Sequence, residues 1–561
     1  MLAFLGKGQF ELKLSFVLIL LILGISLVYP LYSVLNQSFF NDSGFTFDNY
    51  LTFLSKDSFW QSLFNSFKVS GAVALFATTI AFISAYGLNF CAYSQRLKSA
   101  IEIIILLPLF LPSITYGFAV IYSFGRQGLI TRLIGQLPFS IYGFYGLLIA
   151  GVIYTLPPAF MILNNAFKYV DKNFITVSKV MGDSKARTFY ITAVRPVVGS
   201  MVAAFILSFF LNFTDFGIPT SIAGKYDVIA TTLYATMMGA VPDFANGSVV
   251  AMAMLVPSII AIVLLRYCDK LNFRYNKISL AHPVPDKLRD GGFLVFYLAL
   301  TLMLLSVFAI MFIVPFVKSW PYQPWFTLET VKRIFAESAI FGVYINSLYV
   351  ALLTAVCGTI LCYLAGMINA RSHLNGWCKS LMDVFAMVTN TVPGMVLGVG
   401  FLFAFTGTSL TNTFLILIIA NVVHFFTTPY LMAKQAFSKM NASWETTGAL
   451  MGDTWFKTVR RVVIPNTKST IIEMFSYFFV NAMVTISAIV FLAGARTIVT
   501  TVKIKELQYF EKFDAIFVLS LLIFFTNVAA KLILDRLAVR KSVKSAKTTK
   551  SETKTPLEAL S

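Results

Sequence analysis

Residues 180–196 read VMGDSKARTFYITAVRP, and residues 450–465 read LMGDTWFKTVRRVVIP. Both segments are basic, both contain Met-Gly-Asp, and both end in a proline that precedes a long apolar run. Gly182 and Gly452 lie 270 positions apart in a chain of 561 residues. We therefore interpret the chain as two halves built to one plan, each with a basic, glycine-centred loop between hydrophobic segments.

The composition indicates a membrane protein. Hydrophobic residues make up 58% of the chain and charged residues only 12%, more apolar surface than a soluble domain of this length could bury. The apolar runs of about 18–25 residues are long enough to cross roughly 30 Å of hydrocarbon as helices. The predicted fold is an all-α polytopic membrane protein with about twelve transmembrane helices in two parallel-repeat halves. The spans are predicted near residues 14–35, 62–88, 100–124, 142–166, 197–218, 247–265, 293–317, 342–370, 381–405, 413–433, 471–495 and 513–534.

The distribution of basic residues predicts the orientation of these spans. If both termini are inside, 32 of the 44 Lys and Arg residues fall in inner segments, as the positive-inside rule requires. Membrane topology thus explains the net charge of +19, and we expect no nucleic-acid partner.

The duplication extends well beyond the two loops. The dipeptide Asn-Ser opens one span at residues 65–66 and another at residues 346–347, 281 positions on. A proline and a glycine five residues later recur at the same offset, as Pro112 and Gly117, then Pro393 and Gly398. The predicted domains are a first half at 1–266 with its loop at 168–198, a cytoplasmic linker at 267–292, a second half at 293–535 with its loop at 434–470, and a basic, disordered cytoplasmic tail at 536–561.

Each loop is predicted to hold a short helix that lies across the membrane face. The apolar positions of the first loop favour a helix over residues 173–181, and Gly182 can adopt the left-handed conformation that ends it. Asp183 or Ser184 can cap the next helix, and Pro196 stands where a missing N–H costs little. Such a helix can dock onto a soluble partner protein. The alternative is an interfacial helix that has no partner. The residues assigned to docking are Val180, Met181, Gly182, Asp183 and Pro196, with Leu450, Met451, Gly452, Asp453 and Pro465 in the second copy.

Both loops resemble the cytoplasmic glycine-centred motif of bacterial ABC importer permeases. That motif runs Glu-Ala-Ala, three residues, Gly, and then a hydrophobic-x-Leu-Pro element that ends thirteen positions after the glycine. The second loop matches the later part, with Val462 at +10 and Pro465 at +13, whereas Pro196 stands at +14 in the first loop. The Glu-Ala-Ala positions instead read Thr-Val-Ser at residues 176–178 and Thr-Thr-Gly at residues 446–448.

The resemblance covers nearly the whole chain, and it implies the partners of the protein. Each short helix would be a coupling helix seated on one of two ABC ATPase subunits, and a solute-binding protein would deliver the substrate from outside. It also implies a multi-pass location in the bacterial cytoplasmic (inner) membrane, with both termini in the cytoplasm.

The chain contains no G-x-x-x-x-G-K-[ST] segment, so we expect ATP to bind to a separate partner subunit and this chain to be non-catalytic. The five cysteines form no CxxC pair, and the three histidines are far apart in the sequence. We therefore expect neither a metal site nor another cofactor on this chain.

Polar residues at membrane depth are costly and often functional. Asn212, Thr214 and Asp215 lie in the fifth span, where Asp215 could line the translocation pathway, cap a re-entrant turn or bond to a neighbouring helix. Asn481 and Thr485 occupy the corresponding stretch of the second half, which has no matching acid. We interpret three other acids near inner span ends, Glu102, Asp383 and Glu473, as solvated by the interface.

The strings NFTDFGIP and NAMVTISAIVFL most resemble fused permeases for ferric iron or for 2-aminoethylphosphonate, to which hexose-phosphate and polyamine importers are related. One carboxylate is a poor ferric site by ligand count, so the residues themselves leave the substrate open. An ion-gradient-driven secondary transporter is a second class, although ion coupling would need more than one deep acid. A membrane scaffold or receptor subunit is a third.

Overall fold

The structure is a computed structural model that describes residues 2–41, 44–135, 138–268, 285–320, 322–372, 374–441 and 443–552. These residues form helices, loops and two antiparallel hairpins, in which Phe40–Asn41 pairs with Gly44–Phe45 and Val317–Ser319 pairs with Gln323–Phe326. The predicted all-α membrane class is confirmed. Residues 269–284 of the predicted linker and residues 553–561 of the predicted tail lie outside the described residues.

Eight helices of the described chain are long and apolar enough to cross a membrane, and each overlaps a predicted span. They are Lys13–Phe39, Asp57–Phe90, Phe144–Lys168, Lys185–Phe213, Phe244–Leu265, Lys287–Phe316, Ile340–Arg371 and Phe513–Ala538.

Three more predicted spans are helix pairs with a bend between them. The members meet at 108° in Gln95–Phe110 and Ser113–Leu133, at 103° in Gly376–Thr389 and Gly394–Phe405, and at 56° in Phe414–His424 and Thr427–Ser438. In the first two pairs a proline directly precedes the second helix. Because a proline ring disfavours helical backbone in the residue before it, the helix is interrupted at this point. The remaining predicted span, 471–495, is helical only over the 17 residues Lys468–Val484. By length and composition alone, the described chain therefore contains eight candidate spans, or up to eleven if each bent pair counts as one.

In chain order, the α-helices up to the linker are α1 (Leu2–Leu23), α2 (Tyr29–Phe39), α3 (Asp48–Leu54), α4 (Asp57–Phe90), α5 (Gln95–Leu106), α6 (Ser113–Phe124), α7 (Leu129–Ile134), α8 (Phe144–Lys168), α9 (Asn173–Val180), α10 (Lys185–Phe189), α11 (Val198–Phe213), α12 (Gly217–Ile222), α13 (Ile229–Met238) and α14 (Phe244–Cys268). Single π turns cover Gly24–Val28 and Tyr190–Val194, and 3₁₀ turns cover Leu107–Phe110 and Arg195–Val197.

After the linker the α-helices are α15 (Lys287–Ile313), α16 (Glu329–Ala336), α17 (Ser338–Arg371), α18 (Gly376–Thr389), α19 (Gly394–Phe405), α20 (Phe414–His424), α21 (Thr427–Ser438), α22 (Ser443–Leu450), α23 (Trp455–Thr458), α24 (Ile464–Asn466), α25 (Lys468–Val484), α26 (Thr500–Tyr509) and α27 (Phe513–Glu552). Val314–Phe316 is a 3₁₀ turn and Val459–Val463 a π turn. The end of α27 reaches into the tail for which disorder is predicted.

The described chain packs as two compact units, which differ from the sequence halves at their first helices. One unit comprises described residues of 1–34, 341–503 and 522–561, and α2 packs in it on α19, where Tyr29 lies 5.9 Å from Phe405 between ring centres. The other comprises described residues of 35–340 and 504–521. In this unit α15 packs on α4, and the Tyr297 hydroxyl donates to the Ser84 carbonyl at 2.6 Å.

The first Asn-Ser dipeptide ties α4 to the start of α13. The Ser66 hydroxyl accepts a hydrogen bond from the N–H of Ile229 at 2.7 Å, and the Asn65 amide donates to the carbonyl of Asp227 at 3.0 Å. One dipeptide therefore binds both a free helix N–H and the chain that leads into that helix.

The second dipeptide makes the same contacts in the other unit. The Ser347 hydroxyl accepts from the N–H of Thr500 at 2.7 Å, and the Asn346 amide donates to the carbonyl of Ile498 at 3.1 Å. The repeat thus has a structural basis, and it makes α26 the counterpart of α13.

The recurring glycines mark close helix contacts. A Cβ at Gly117 of α6 would lie 1.7 Å from the Ser221 hydroxyl, and one at Gly398 of α19 would lie 2.8 Å from the carbonyl of Ala488. Neither distance leaves room for a side chain, so both helices need glycine at this position.

Candidate coupling loops and transport pathway

The first loop contains the predicted short helix, α9, and a glycine turn. Gly182 has a φ of +76°, and the N–H of Asp183 donates to the carbonyl of Ser178 at 3.0 Å. This six-to-one bond after a left-handed residue is the Schellman helix ending. The predicted left-handed conformation of Gly182 is confirmed.

The second loop ends its helix, α22, in the same way. Gly452 also has a φ of +76°, and the N–H of Asp453 donates to the carbonyl of Gly448 at 2.9 Å. No atom outside the local chain lies within 4 Å of a Cβ built at either turn glycine. Only the backbone angle, and no crowding, therefore requires glycine at the two turns.

The cap of the following helix is a hydroxyl in both loops. Ser184 accepts from the N–H of Arg187 and Thr454 from the N–H of Lys457, each at 3.3 Å. The aspartate before each cap pairs instead with the basic residue four positions later, Asp183 with Arg187 at 3.1 Å and Asp453 with Lys457. Of the two predicted caps in the first loop, the structure uses Ser184.

The extra residue of the first loop lies in α10. This helix has five residues, whereas its counterpart α23 has four. Each is followed by a five-residue π turn and then by the turn that holds Pro196 or Pro465. Helix length before the π turn therefore accounts for the different spacing of the two prolines.

The position at the end of the Glu-Ala-Ala element is a close contact in each loop. In the first loop the Ser178 hydroxyl lies 2.6 Å from the Asp183 carboxylate and 3.0 Å from the Thr188 hydroxyl. In the second, a Cβ at Gly448 would lie 2.5 Å from the hydroxyl of Thr458. The two copies thus hold the same shape with different side chains.

The tip of each loop presents apolar side chains outward. Val180 is 84% exposed and Met181 76%, and in the second loop Leu450 is 66% and Met451 77% exposed. Exposed basic residues, Arg187 and Lys457, lie within the following turns. Each tip thus presents two exposed apolar side chains close to a basic residue, and this arrangement recurs in both loops.

An acid anchors the helix that leads into each loop. In α8, the Asn164 amide donates to Glu102 of α5 at 2.9 Å and accepts from Asn89 of α4 at 2.8 Å. In α21, the Lys434 ammonium lies 2.6 and 2.8 Å from the two oxygens of Asp383 of α18.

These contacts correct the sequence interpretation of two acids. Glu102 and Asp383 are not simply solvated by the interface, because each bonds to a polar side chain of a neighbouring helix, and Asp383 also accepts from the Tyr430 hydroxyl at 2.6 Å. The partners lie 62 and 51 positions along the chain, so no local pattern could have identified them.

The pathway candidates of the first half lie around the end of α11. Asn212 is buried and accepts from the Ser70 hydroxyl at 3.1 Å, beside a small cavity that Ser66 also lines. The Thr214 hydroxyl donates to the Phe210 carbonyl at 2.9 Å, and the Asp215 carboxylate accepts from the N–H of Ile218 at 2.8 Å. Asp215 thus makes a capping contact at the start of α12.

The candidates of the second half are bonded within their own unit. The Asn481 amide donates to the Tyr477 carbonyl at 2.8 Å, one helical turn back. The carbonyl of Thr485 accepts from the Thr501 hydroxyl at 2.7 Å, where α25 has ended. A role of these residues in transport stays a prediction.

Comparison with known proteins decides the family. The sequence pattern of the binding-protein-dependent transport system inner membrane component matches residues 77–273 and again residues 358–543. The chain belongs to this family. It is a fused, two-repeat permease subunit of an ABC importer, a multi-pass protein of the inner membrane that works with a binding protein and ATPase partners.

Two relatives match this permease over most of its length. A Haemophilus influenzae protein, provisionally named a ferric transport system permease, is 27% identical over 89% of this chain and 81% of its own. The ferric transport system permease protein of Actinobacillus pleuropneumoniae is 26% identical over 86% of this chain and 72% of its own. The molybdenum transport system permease protein of Azotobacter vinelandii is 32% identical, but over only 23% of this chain and 59% of its own.

Proposed function

We propose that the permease forms the pathway by which an ATP-driven importer takes up ferric iron, with each loop seated on one of two ATPase subunits. The observation that carries the coupling is the duplicated loop, in which the glycine turn, the hydroxyl cap and the exposed tip recur. Two equivalent docking helices match two copies of one ATPase. ATP binds to those subunits, and this chain is non-catalytic and binds no cofactor.

Ferric iron is favoured as the substrate because the relatives named for ferric transport match most of this chain. The two relatives named for ferric transport cover 89% and 86% of this chain, whereas a relative named for spermidine and putrescine covers 33%. A phosphonate such as 2-aminoethylphosphonate is the second candidate, supported by the strings around Asp215 and Asn481.

The docking role is tested by changing the tips alone. The double variant Met181→Glu, Met451→Glu is expected to bind the purified ATPase subunit about tenfold more weakly, because charges replace apolar contacts at the centre of the interface. Val241→Glu is the matched control, since Val241 is 84% exposed and lies outside both loops. Equal ATPase binding by the double variant and the control would remove the loops as docking sites.

The proposed orientation places both loops and both termini in the cytoplasm. It is supported by the excess of basic residues in those segments. In a variant without the native cysteines, Ser184→Cys should be protected from a membrane-impermeant maleimide in intact cells, and Ser409→Cys should react. The reverse labelling pattern would invert the topology.

A further inference from the structure

Helix α26 differs in charge from its counterpart α13. Ser66 and Ser347 make equivalent contacts, so Thr500 is the counterpart of Ile229. Five residues further on, Lys505 of the second copy corresponds to Tyr234 of the first. α13 reads IATTLYATMM, without a charged residue, whereas α26 reads TTVKIKELQY. α25 begins directly after the second loop, and α26 follows the far end of α25. In the proposed orientation, with both loops in the cytoplasm, α26 therefore lies on the side of the membrane opposite the coupling loops.

Lys505 is half-buried among neutral groups. Its ammonium donates to the Gln508 side-chain oxygen at 3.2 Å and lies 5.8 Å from the centre of the Tyr234 ring. Gln508 is fixed in turn by a bond from its amide to the carbonyl of Thr220 at 2.7 Å. Among the described residues, no carboxylate lies within 4.0 Å of the Lys505 ammonium.

The Lys505 ammonium has few partners among the described residues. Burial lowers the pKa of Lys505, and no acid of the described chain offsets that effect. An ammonium has three donors, of which one is used here by a side-chain oxygen, and an aromatic face attracts the cation without accepting a full hydrogen bond. Charged groups in such surroundings are normally paired with an opposite charge. An anionic oxygen that reaches Lys505 would supply the missing charge and use the free donors.

We propose that Lys505, oriented by Tyr234 and Gln508, binds an anionic oxygen of the solute as it enters the pathway from the side opposite the coupling loops. The inference rests on the proposed importer function and adds the chemistry of the cargo. A phosphonate carries such oxygens itself. Ferric ion carries them only through oxygen-donor ligands that travel with it, such as the carboxylates of citrate.

The test compares Lys505→Gln with Lys505→Arg, which keeps the charge, and with Lys512→Gln, which removes an exposed charge just beyond the same helix. Each is reconstituted into proteoliposomes with the ATPase subunit and the binding protein. Uptake of labelled 2-aminoethylphosphonate and of labelled ferric citrate is measured in separate arms, together with ATP hydrolysis. The readout is solute moved per ATP hydrolysed, which a general loss of folded protein does not change.

Lys505→Gln is expected to lower this ratio about tenfold for the transported anion, because a charge-assisted hydrogen bond is lost. Lys505→Arg and Lys512→Gln should stay within about twofold of wild type. The arm in which wild type transports identifies the source of the anionic oxygen. An unchanged ratio for Lys505→Gln, or an equal fall for Lys512→Gln, would overturn the inference. Absence of wild-type uptake in both arms would instead count against the proposed substrates.

Discussion

At the scale of single residues, the two turn glycines are the most constrained positions of the loops. Both have a φ of +76°, and both lie in a Met-Gly-Asp segment followed by a hydroxyl residue. A β-branched residue at such an angle is strained by its own backbone, since Cβ meets the neighbouring carbonyl oxygen. The space around both glycines is open, so the angle is what a substitution would disturb.

We therefore predict that Gly182→Val with Gly452→Val reduces ATP-driven uptake about tenfold or more while the protein still inserts, because an unfavourable left-handed angle costs about 1–2 kcal/mol per residue and redirects the chain after each docking helix. The measurement is uptake per inserted protein in proteoliposomes. Gly407→Val is the matched control, because Gly407 has a φ of +80° and open surroundings but lies in another loop. Normal uptake by the double variant would contradict the coupling role.

The turn glycines were predictable because a helix ending depends on local sequence, here a glycine with a hydroxyl residue two positions later. Asp383 and Lys434 were not, because their contact joins helices that are distant in sequence. Asn212 and Asp215 were recognised as unusual, yet the sequence could not say that one accepts from Ser70 and the other caps α12. Contacts between helices depend on packing that no single segment encodes.

At the scale of elements, the helix that leads into each loop is anchored differently. α8 is anchored through a neutral amide and α21 through an ion pair, whose side chains are 31% and 34% exposed. An ion pair of this exposure stabilises less than a buried one, although its loss leaves Asp383 with fewer partners.

Lys434→Met is expected to lower the free energy of unfolding by about 1 kcal/mol, because Asp383 keeps its charge and loses its cation. Thermal unfolding of the solubilised protein measures the change. Lys531→Met is the control, since the Lys531–Asp535 pair at 2.9 Å is more exposed and joins residues of one helix. A Lys434→Met effect no larger than the control's would show that the anchor is not structural.

The capping serines give a second element-scale prediction. Ser347→Ala should cost about 1 kcal/mol at the start of α26, as loss of a helix cap does, because the N–H of Thr500 loses its acceptor. Hydrogen exchange should then be about fivefold faster over the first turn of α26 and unchanged in α13. Ser66→Ala is the reciprocal control and should affect α13 alone. Changes spread evenly over both helices would contradict the local capping role.

Element prediction from sequence failed where a span is bent or interrupted. The predicted span at 100–124 continues through Pro112 because the apolar run does, but the chain turns by 108° there. The recurring proline and glycine were visible, whereas their consequences, a bend and a close contact at Gly117, needed the packed helices. The predicted span at 471–495 similarly counted apolar loop residues beyond Val484 as helix.

At the scale of the whole molecule, the duplicated plan combines matching loops with unlike segments after α11 and α25. The coupling loops share their turns, caps and exposed tips, as expected if two copies of one ATPase hold them. The segments after α11 and α25 differ, because Asp215 has no acidic counterpart and Lys505 replaces the aromatic Tyr234. This difference is consistent with symmetric coupling to the ATPase subunits and an asymmetric transport pathway.

The most direct test of the central claim is uptake by the permease reconstituted with its ATPase subunit and binding protein. Labelled ferric citrate is supplied outside, and the vesicles contain either ATP or no nucleotide with an imposed ion gradient. We predict uptake that requires ATP inside and the ATPase subunit, and none from the gradient alone. Gradient-driven uptake without the ATPase subunit would contradict the account and favour a secondary transporter.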